Sequence, residues 1–151
     1  MATLSKAAFA RARDATHRAG LCVLVVEDNA ADAYLICRAL GDQKLVDQVV
    51  HANDGVEALQ MIEDGEVAPD LAFIDLQMPR KGGLSLLSAL AEREQPGFPM
   101  VVLTSSTAPV DVMRSRMRGA VRVISKPESY YDLQSRLNRE IRRISASVRS
   151  S

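Results

Sequence analysis

The sequence predicts a doubly wound α/β protein with a five-stranded parallel sheet covered by helices on both faces. The first observation is that short, continuous apolar runs, typical of buried strands, alternate five times with segments of helical periodicity. The second is the length of 151 residues, which suits one folded domain. Strands that alternate with helices in this way favour parallel pairing through right-handed crossovers.

An alanine-rich segment with several basic residues precedes the first apolar run. It has helical composition over residues 3–19, and Gly20 is suited to end it. An isolated helix of this length is only marginally stable in water. We therefore expect residues 1–20 to be a helical or partly disordered extension, and residues 21–148 to be the folded domain.

The first half of the domain contains two predicted strand–helix units. In chain order these are a strand over 21–26, a helix over 30–40, a strand over 46–52 and a helix over 56–63. The second strand contains Asp47 and Gln48, so we place it at an edge of the sheet. Asp28 or Asn29 is suited to cap the first helix, and Gly41 to end it.

The second half contains three further units. They are a strand over 71–75 and a helix over 84–93, a strand over 100–103 and a helix over 111–118, and a strand over 121–124 and a helix from 129 to 148. Met78-Pro79 and Gly82-Gly83 predict a tight turn directly after Asp75. The last helix has an apolar stripe formed by Leu133, Leu137, Ile141, Ile144 and Val148.

Four of the five predicted strands end in a chemically active side chain. These are Glu27-Asp28, Asp75, Thr104 and Lys126. Parallel strands bring their carboxyl ends to one edge of the sheet, where ligands bind in such folds. Clustered carboxylates favour a hard dication such as Mg²⁺, and an ammonium and a hydroxyl can offset the charge of a phosphoryl group. The pattern therefore predicts phosphoryl transfer with Asp75 as the nucleophile, forming an acyl phosphate.

These residues, in this order and spacing, resemble the response regulator receiver domain of two-component signalling. The resemblance covers about residues 21–145. Its motifs are Val26-Glu27-Asp28-Asn29, Asp75 with Met78-Pro79 and Gly83, Leu103-Thr104-Ser105, Gly119-Ala120 and Lys126-Pro127. It implies a flavodoxin-like fold with strand order 2-1-3-4-5, as in the chemotaxis response regulator.

The resemblance also implies roles for the residues at the strand ends. Asp28, Asp75 and the backbone carbonyl of Gln77 would bind Mg²⁺, with Glu27 acting through water. Asp75 would accept a phosphoryl group from a histidine kinase. Lys126 would hold the phosphoryl oxygens, and the hydroxyl of Thr104 would move toward them.

The chain departs from the family pattern at two positions. Val123 stands where the family generally has an aromatic residue that moves together with Thr104, so the sequence does not predict this form of read-out. Whether Tyr130 or Tyr131 substitutes for that ring is open at the level of sequence. Gly82 stands where many members have an acidic residue, and we expect it to alter loop stiffness more than chemistry.

The expected function is that of a stand-alone receiver without an output domain, whose only chemistry is self-phosphorylation and slow self-dephosphorylation. We do not expect a classical enzyme. Phosphorylation would change which protein it binds, through the fourth strand and its following helix and the last strand and helix. The expected partners are a histidine kinase and a downstream or phosphotransfer protein. The run from Glu27 to Leu35 is similar to small regulators paired with phytochrome-type or hybrid kinases.

Two alternatives remain open. One is a receiver-fold interaction module, such as a homodimer, with little dependence on phosphorylation. The arginines of the last two helices are compatible with that, although charged helix faces are usually just solvated. The other is an aspartyl-phosphate phosphatase, which is disfavoured because Gln77 stands where such enzymes commonly have an acid.

Composition excludes several other classes of protein. The 19 basic and 19 acidic residues balance, so we expect no general attraction to nucleic acid or to a membrane surface. No apolar run approaches the ~20 residues that a membrane span requires. Cys22 and Cys37 lack metal-ligand spacing and are expected to be buried, reduced thiols. The default location is therefore the cytoplasm.

Overall fold

Five parallel strands form one sheet in the computed structural model of the chain, which describes residues 20–78, 82–93, 97–105 and 108–150. The strands are β1 Leu21–Val26, β2 Val46–Ala52, β3 Leu71–Ile74, β4 Met100–Thr104 and β5 Arg122–Ser125. Their order is β2-β1-β3-β4-β5, and every neighbouring pair is parallel. The predicted fold class and strand order are confirmed, including the edge position of the more polar strand β2.

Helices cover both faces of this sheet. They are α1 Ala30–Gly41, α2 Gly55–Glu63, α3 Gly83–Ala91, α4 Pro109–Met117 and α5 Tyr130–Ser150. Helices α1 and α5 pack together on one face. Helices α2 and α3 pack on the other, where α4 lies beside α3 and β5. This two-sided cover explains why the central strands are apolar throughout instead of alternating.

The two hydrophobic cores are separated by the sheet, as β1 illustrates. Leu24 and Val26 point to the α2–α3 face, whereas Val23 and Val25 point to the α1–α5 face. All four side chains are at most 1% exposed, and burial of one such side chain contributes about 1.5–3 kcal/mol. The continuous apolar run is therefore needed to hold the β1 end, and the residues that follow it, in place.

The helix boundaries differ from the predicted ones by one or two residues. Helix α1 includes Gly41 as its last residue, and the capping residue is Asp42, whose φ of −83° does not require a glycine. Asn29, and not Asp28, caps its start, because the Asn29 side chain accepts a hydrogen bond from the backbone N–H of Asp32. Helix α4 begins at Pro109, a residue well suited to the first turn because its missing N–H is not needed there.

The C-terminal helix buries an acidic residue beside its apolar stripe. The described part of the predicted apolar stripe, Leu133, Leu137, Ile141 and Ile144, is buried against the sheet. Glu140, an acidic residue of the same helix, is only 2% exposed. It is buried because Arg122 of β5 and Arg143 of α5 both form ion pairs with its carboxylate.

Two sequence predictions concern residues that the structure does not describe. The predicted helix over 3–19 and the turn residue Pro79 belong to the undescribed part.

In the described ranges, no helix is both long enough and apolar enough to cross a membrane. Both cysteines are free thiols, Cys22 buried and Cys37 half-buried, so the second is more exposed than expected.

Candidate functional site

Three carboxylates meet at the carboxyl ends of β1 and β3. Glu27 and Asp28 directly follow β1, and Asp75 directly follows β3, the adjacent strand. The backbone N–H of Asp75 donates to the carbonyl of Val26 at 3.0 Å, which extends the pairing of the two strands by one residue. As a result, one carboxylate oxygen from each residue lies within 4.8 Å of the other two.

The three carboxylates differ in their exposure to solvent. Glu27 is 1% exposed and Asp75 is 7% exposed, whereas Asp28 is exposed. Asp28 thus lies at the open rim of the cluster and Glu27 at its floor. A small charged ligand can approach from the Asp28 side and still reach Asp75.

Lys126 brings a positive charge from the end of β5 into this cluster. Its backbone N–H donates to the carbonyl of Thr104 at 2.8 Å, which fixes the start of its loop next to β4. Its ammonium Nζ lies 2.5 Å from Glu27 Oε1 and 3.5 Å from Asp75 Oδ2. It also lies 2.9 Å from Oδ2 of Asp32, a residue in the first turn of α1. The ammonium therefore contacts three carboxylates, and Asp75 is the most distant of them.

Burial and these charges shift the pKa of two groups. Burial raises the pKa of Glu27 to about 7, and the negative charge of Asp75 adds to the increase, against the opposing effect of Lys126. Burial alone would lower the pKa of Lys126, but Glu27, Asp32 and Asp75 outweigh it and raise the value above its usual range. Lys126 therefore stays charged near neutral pH, whereas Glu27 is partly protonated there.

Gly83 lies against the backbone of Asp75 and limits the space beside it. The N–H of Gly83 donates to the carbonyl of Leu76 at 3.0 Å. A Cβ atom on Gly83 would overlap the carbonyl oxygen of Asp75, so only glycine fits there. Gln77 is exposed, with its backbone N–H 3.5 Å from Asp75 Oδ1. The role of the Gln77 carbonyl as a metal ligand stays a prediction.

Val123 and Tyr130, the residues considered for a coupled movement with Thr104, pack on opposite faces of the sheet. Thr104 is buried at the end of β4. Half-buried Val123 packs on the α2–α3 core, whereas Tyr130 packs on the α1–α5 core with Arg38 6.0 Å from its ring centre. Tyr131 is 75% exposed. Neither tyrosine therefore occupies the space of an aromatic ring at Val123.

The sequence did not predict a role at the cluster for two residues that lie next to it. Asp32 resembles an ordinary acidic residue in a first helical turn, yet it reaches Lys126. His51 lies near the end of β2, and its Nε2 is 2.7 Å from the backbone carbonyl of Glu27. Both contacts join segments far apart in sequence, so no local pattern could have indicated them.

The donor set of the cluster fits a hard divalent cation such as Mg²⁺. All the candidate side-chain ligands are carboxylate oxygens, which this class of ion prefers. Glu27 Oε1 is buried and forms an ion pair with Lys126. A carboxylate oxygen has two lone pairs, so Oε1 can also accept a hydrogen bond from a water bound to a cation.

Comparison with protein families identifies one match, which covers most of the chain. The response regulator receiver domain family matches residues 23–138. The two-component response regulator PhoP of Pseudomonas aeruginosa is 35% identical over 129 residues, which cover 85% of this chain and 55% of PhoP. The DNA-binding response regulator MtrA of Mycobacterium tuberculosis is 33% identical over 121 residues, 80% of this chain and 50% of MtrA. The chain thus spans about half the length of these relatives.

A shorter relative and two solved structures match over more of their own length. The probable methanogenesis regulatory protein FilR2 of Methanothrix harundinacea is 32% identical over 117 residues, 74% of this chain and 76% of FilR2. The phosphorylated cyanobacterial phytochrome response regulator RcpA is similar at TM-score 0.73 and 28% identity, covering 80% of this chain and 90% of RcpA. The Mn²⁺-bound response regulator Rcp1 is similar at TM-score 0.71 and 25% identity, covering 78% and 89%.

Proposed function

Because this chain belongs to the response regulator receiver domain family, whose members are signalling modules and not classical enzymes, we propose that it is a phosphorylation-dependent switch. Asp75 accepts a phosphoryl group from a histidine kinase in a Mg²⁺-dependent reaction. The observation that carries the proposal is the cluster of Glu27, Asp28 and Asp75 oxygens within 4.8 Å, with the ammonium of Lys126 beside it. We place this activity in the cytoplasm.

The proposed reaction moves one phosphoryl group onto one carboxylate. An Asp75 oxygen attacks phosphorus, the bond between phosphorus and the donor breaks, and its electron pair leaves with the donor. The product is an acyl phosphate. Charge on the equatorial oxygens is offset by Lys126, whose ammonium is already 3.5 Å from Asp75 Oδ2, and by a hydrogen bond from the hydroxyl of Thr104.

The metal in this proposal is held by Asp28, Asp75 and the carbonyl of Gln77, with Glu27 acting through water. When bound, Mg²⁺ supplies positive charge that offsets the charge of the transferring group. The exposed position of Asp28 leaves an open approach for the ion. Burial raises the pKa of Glu27 even with Lys126 beside it, so a second cation near this carboxylate would stabilise its ionised form, which supports binding of the ion.

The proposed kinase is of the phytochrome-type or hybrid class. The similarity to RcpA, a phytochrome response regulator, and the run from Glu27 to Leu35 support this choice. Helix α1 begins at Ala30, two residues after Asp28, and presents Tyr34 and Leu35 to solvent, 62% and 38% exposed. These apolar side chains give a kinase a surface to contact beside Asp75.

The proposed output is a change in protein–protein interaction on the surface of α4, β5 and α5. Helix α4 and Val121, the residue before β5, expose apolar side chains, and α5, which packs on the other face of the sheet, exposes arginines. These residues are Val110, Met113, Met117, Val121, Arg139 and Arg142. The partner is a downstream or phosphotransfer protein, or a second copy of this chain in a homodimer.

Incubation with acetyl phosphate and Mg²⁺ tests this function. We expect incorporation of phosphate that is released by hydroxylamine, as acyl phosphates are, and that is absent from Asp75→Asn and in the presence of a chelator. Circular dichroism of each variant serves as the control for folding. No incorporation into a folded wild-type chain would contradict the proposal.

A further inference from the structure

A fourth carboxylate, that of Asp32, competes for the lysine of the proposed acceptor site. The Nζ of Lys126 lies 2.9 Å from Asp32 Oδ2 and donates a hydrogen bond to it, whereas Asp75 Oδ2 is 3.5 Å away. An ammonium has three donors, and here three carboxylates surround it. To hold a phosphoryl oxygen, Lys126 has to redirect at least one of these donors.

The position of Asp32 in α1 suggests a simpler, structural role that the hydrogen bonds do not support. An acidic residue in the first turn usually stabilises the helix dipole or accepts a hydrogen bond from the N–H of the capping residue. Here the N–H of the cap, Asn29, donates to Glu27 Oε2 at 3.2 Å instead. The carboxylate of Asp32 is thereby released from capping and contacts a lysine 94 residues away in sequence.

Exposure determines which of the contacts Lys126 can give up. The side chain of Glu27 is 1% exposed, so loss of its cation would leave a charge buried without a partner. The side chain of Asp32 is 41% exposed, so water can solvate its carboxylate once the ammonium has left. The contact with Asp32 is therefore the one that can be exchanged at low cost.

We propose that Asp32 is a positioning residue that retains Lys126 on the α1 side of the site and releases it when a phosphoryl group reaches Asp75. This inference rests on the proposed function and adds a control to it. No covalent bond changes at Asp32. The ion pair between Asp32 and Lys126 is exchanged for one between Lys126 and a phosphoryl oxygen. Asp32 slows phosphorylation because the first ion pair has to break.

The test compares rates of phosphorylation by acetyl phosphate at saturating Mg²⁺, measured by intact-protein mass spectrometry. Asp32→Asn should react about three- to fivefold faster than wild type, as expected for loss of a half-exposed ion pair. Asp32→Glu, which keeps the charge, should return the rate toward the wild-type value. Asp132→Asn is the matched control, because Asp132 has the same position in the first turn of α5, its N–H bonded to Ser129, and is not among the residues that contact Lys126.

Asp32 could also slow the reaction by repelling the anionic phosphodonor directly. Repeating the comparison in a Lys126→Ala variant separates this effect from the retention of Lys126. In Lys126→Ala, Asp32→Asn should leave the slower rate unchanged. An unchanged or lower rate for Asp32→Asn, or an acceleration that persists without Lys126, would overturn the inference while wild-type phosphorylation still supports the function. Absence of phosphate on a folded wild-type chain would contradict both.

Discussion

At the scale of single residues, Glu27 illustrates how burial prepares an acidic group for a cation. It follows the buried strand β1, and its carboxylate is almost fully removed from water. Its ordinary pKa of 4.5 is raised to about 7 by this burial and by Asp75. The folded chain therefore holds a proton on Glu27 where the unfolded chain has released it. Ionisation of Glu27 lowers the free energy of unfolding as the pH rises from 4.5 to about 7.

The first prediction concerns the pH dependence of Mg²⁺ binding. Below about pH 7, Mg²⁺ has to compete with the proton on Glu27, and above it the carboxylate is already ionised. The affinity should rise about tenfold between roughly pH 6 and pH 8 and then level off. Isothermal titration calorimetry at several pH values measures this change.

Two variants assign this pH dependence to Glu27. Glu27→Gln should remove it, because the amide does not titrate. His51 contacts the backbone carbonyl of Glu27 and not its carboxylate, so His51→Gln is the matched control and should keep the dependence. If His51→Gln removes it and Glu27→Gln retains it, the assignment to Glu27 is wrong.

The second prediction contrasts two glycines. A Cβ on Gly83 would overlap backbone atoms of Asp75 and Leu76, so Gly83→Ala should lower the free energy of unfolding by about 1–3 kcal/mol. Gly41 lies in α1 with no atom within 4 Å of an added Cβ, so Gly41→Ala should raise it by about 0.5–1 kcal/mol. Urea denaturation measures both changes. Equal effects of the two substitutions would mean that Gly83 does not pack closely on the backbone of Asp75.

At the scale of elements, a buried ion-pair cluster joins the last helix to the edge of the sheet. Glu140 Oε1 lies 2.7 Å from Arg122 Nε of β5, and its Oε2 lies 3.3 Å from Arg143 Nη1 in α5. The carboxylate is buried, whereas both arginines are partly exposed. The cluster thus orients α5 against β5 through a charge that cannot be solvated in place.

The third prediction follows from this difference in exposure. Replacing both Arg122 and Arg143 by Met should lower the free energy of unfolding by about 3 kcal/mol, because Glu140 is left buried and unpaired. Glu140→Gln should be milder, since the two guanidinium groups can be hydrated. Arg139→Met, on an exposed position of the same helix, is the control. A double arginine variant no less stable than Glu140→Gln would contradict the assigned role.

At the scale of the whole molecule, the proposed site draws on the ends of four strands, so a ligand bound there stabilises the entire sheet. Beryllofluoride with Mg²⁺ mimics a phosphoryl group on Asp75. The fourth prediction is that this pair, at about 100 times its Kd, raises the Tm by about 5–10 °C. Differential scanning calorimetry measures the shift. Asp75→Asn should show none, and an equal shift in that variant would place the ligand elsewhere.

The fold could be predicted from sequence because its strands are buried on both faces. The apolar runs that form β1, β3 and β4 can be recognised in the sequence without knowing which strands they pair with. The strand order was predicted from the resemblance to a known family. Parallel strands then bring Glu27, Asp75 and Lys126 together without further assumptions, as the structure has them.

The residues that sequence reasoning missed are those whose contacts are long-range. Asp32 and His51 contact residues 94 and 24 positions away, and their own neighbours in sequence indicate only a helix start and a strand end. Glu140 falls between apolar positions of α5 and would be solvated on an isolated helix. Its burial depends on Arg122, which a different strand supplies.

The most direct test of the account is to locate the phosphoryl group on the chain. After incubation with acetyl phosphate and Mg²⁺, reduction by borohydride converts the acyl phosphate of an aspartate to homoserine, which tandem mass spectrometry assigns to one position. We expect homoserine at position 75 alone. Homoserine at Asp28 or at Asp32, or an unmodified Asp75 in a folded chain that carries phosphate, would contradict the central claim.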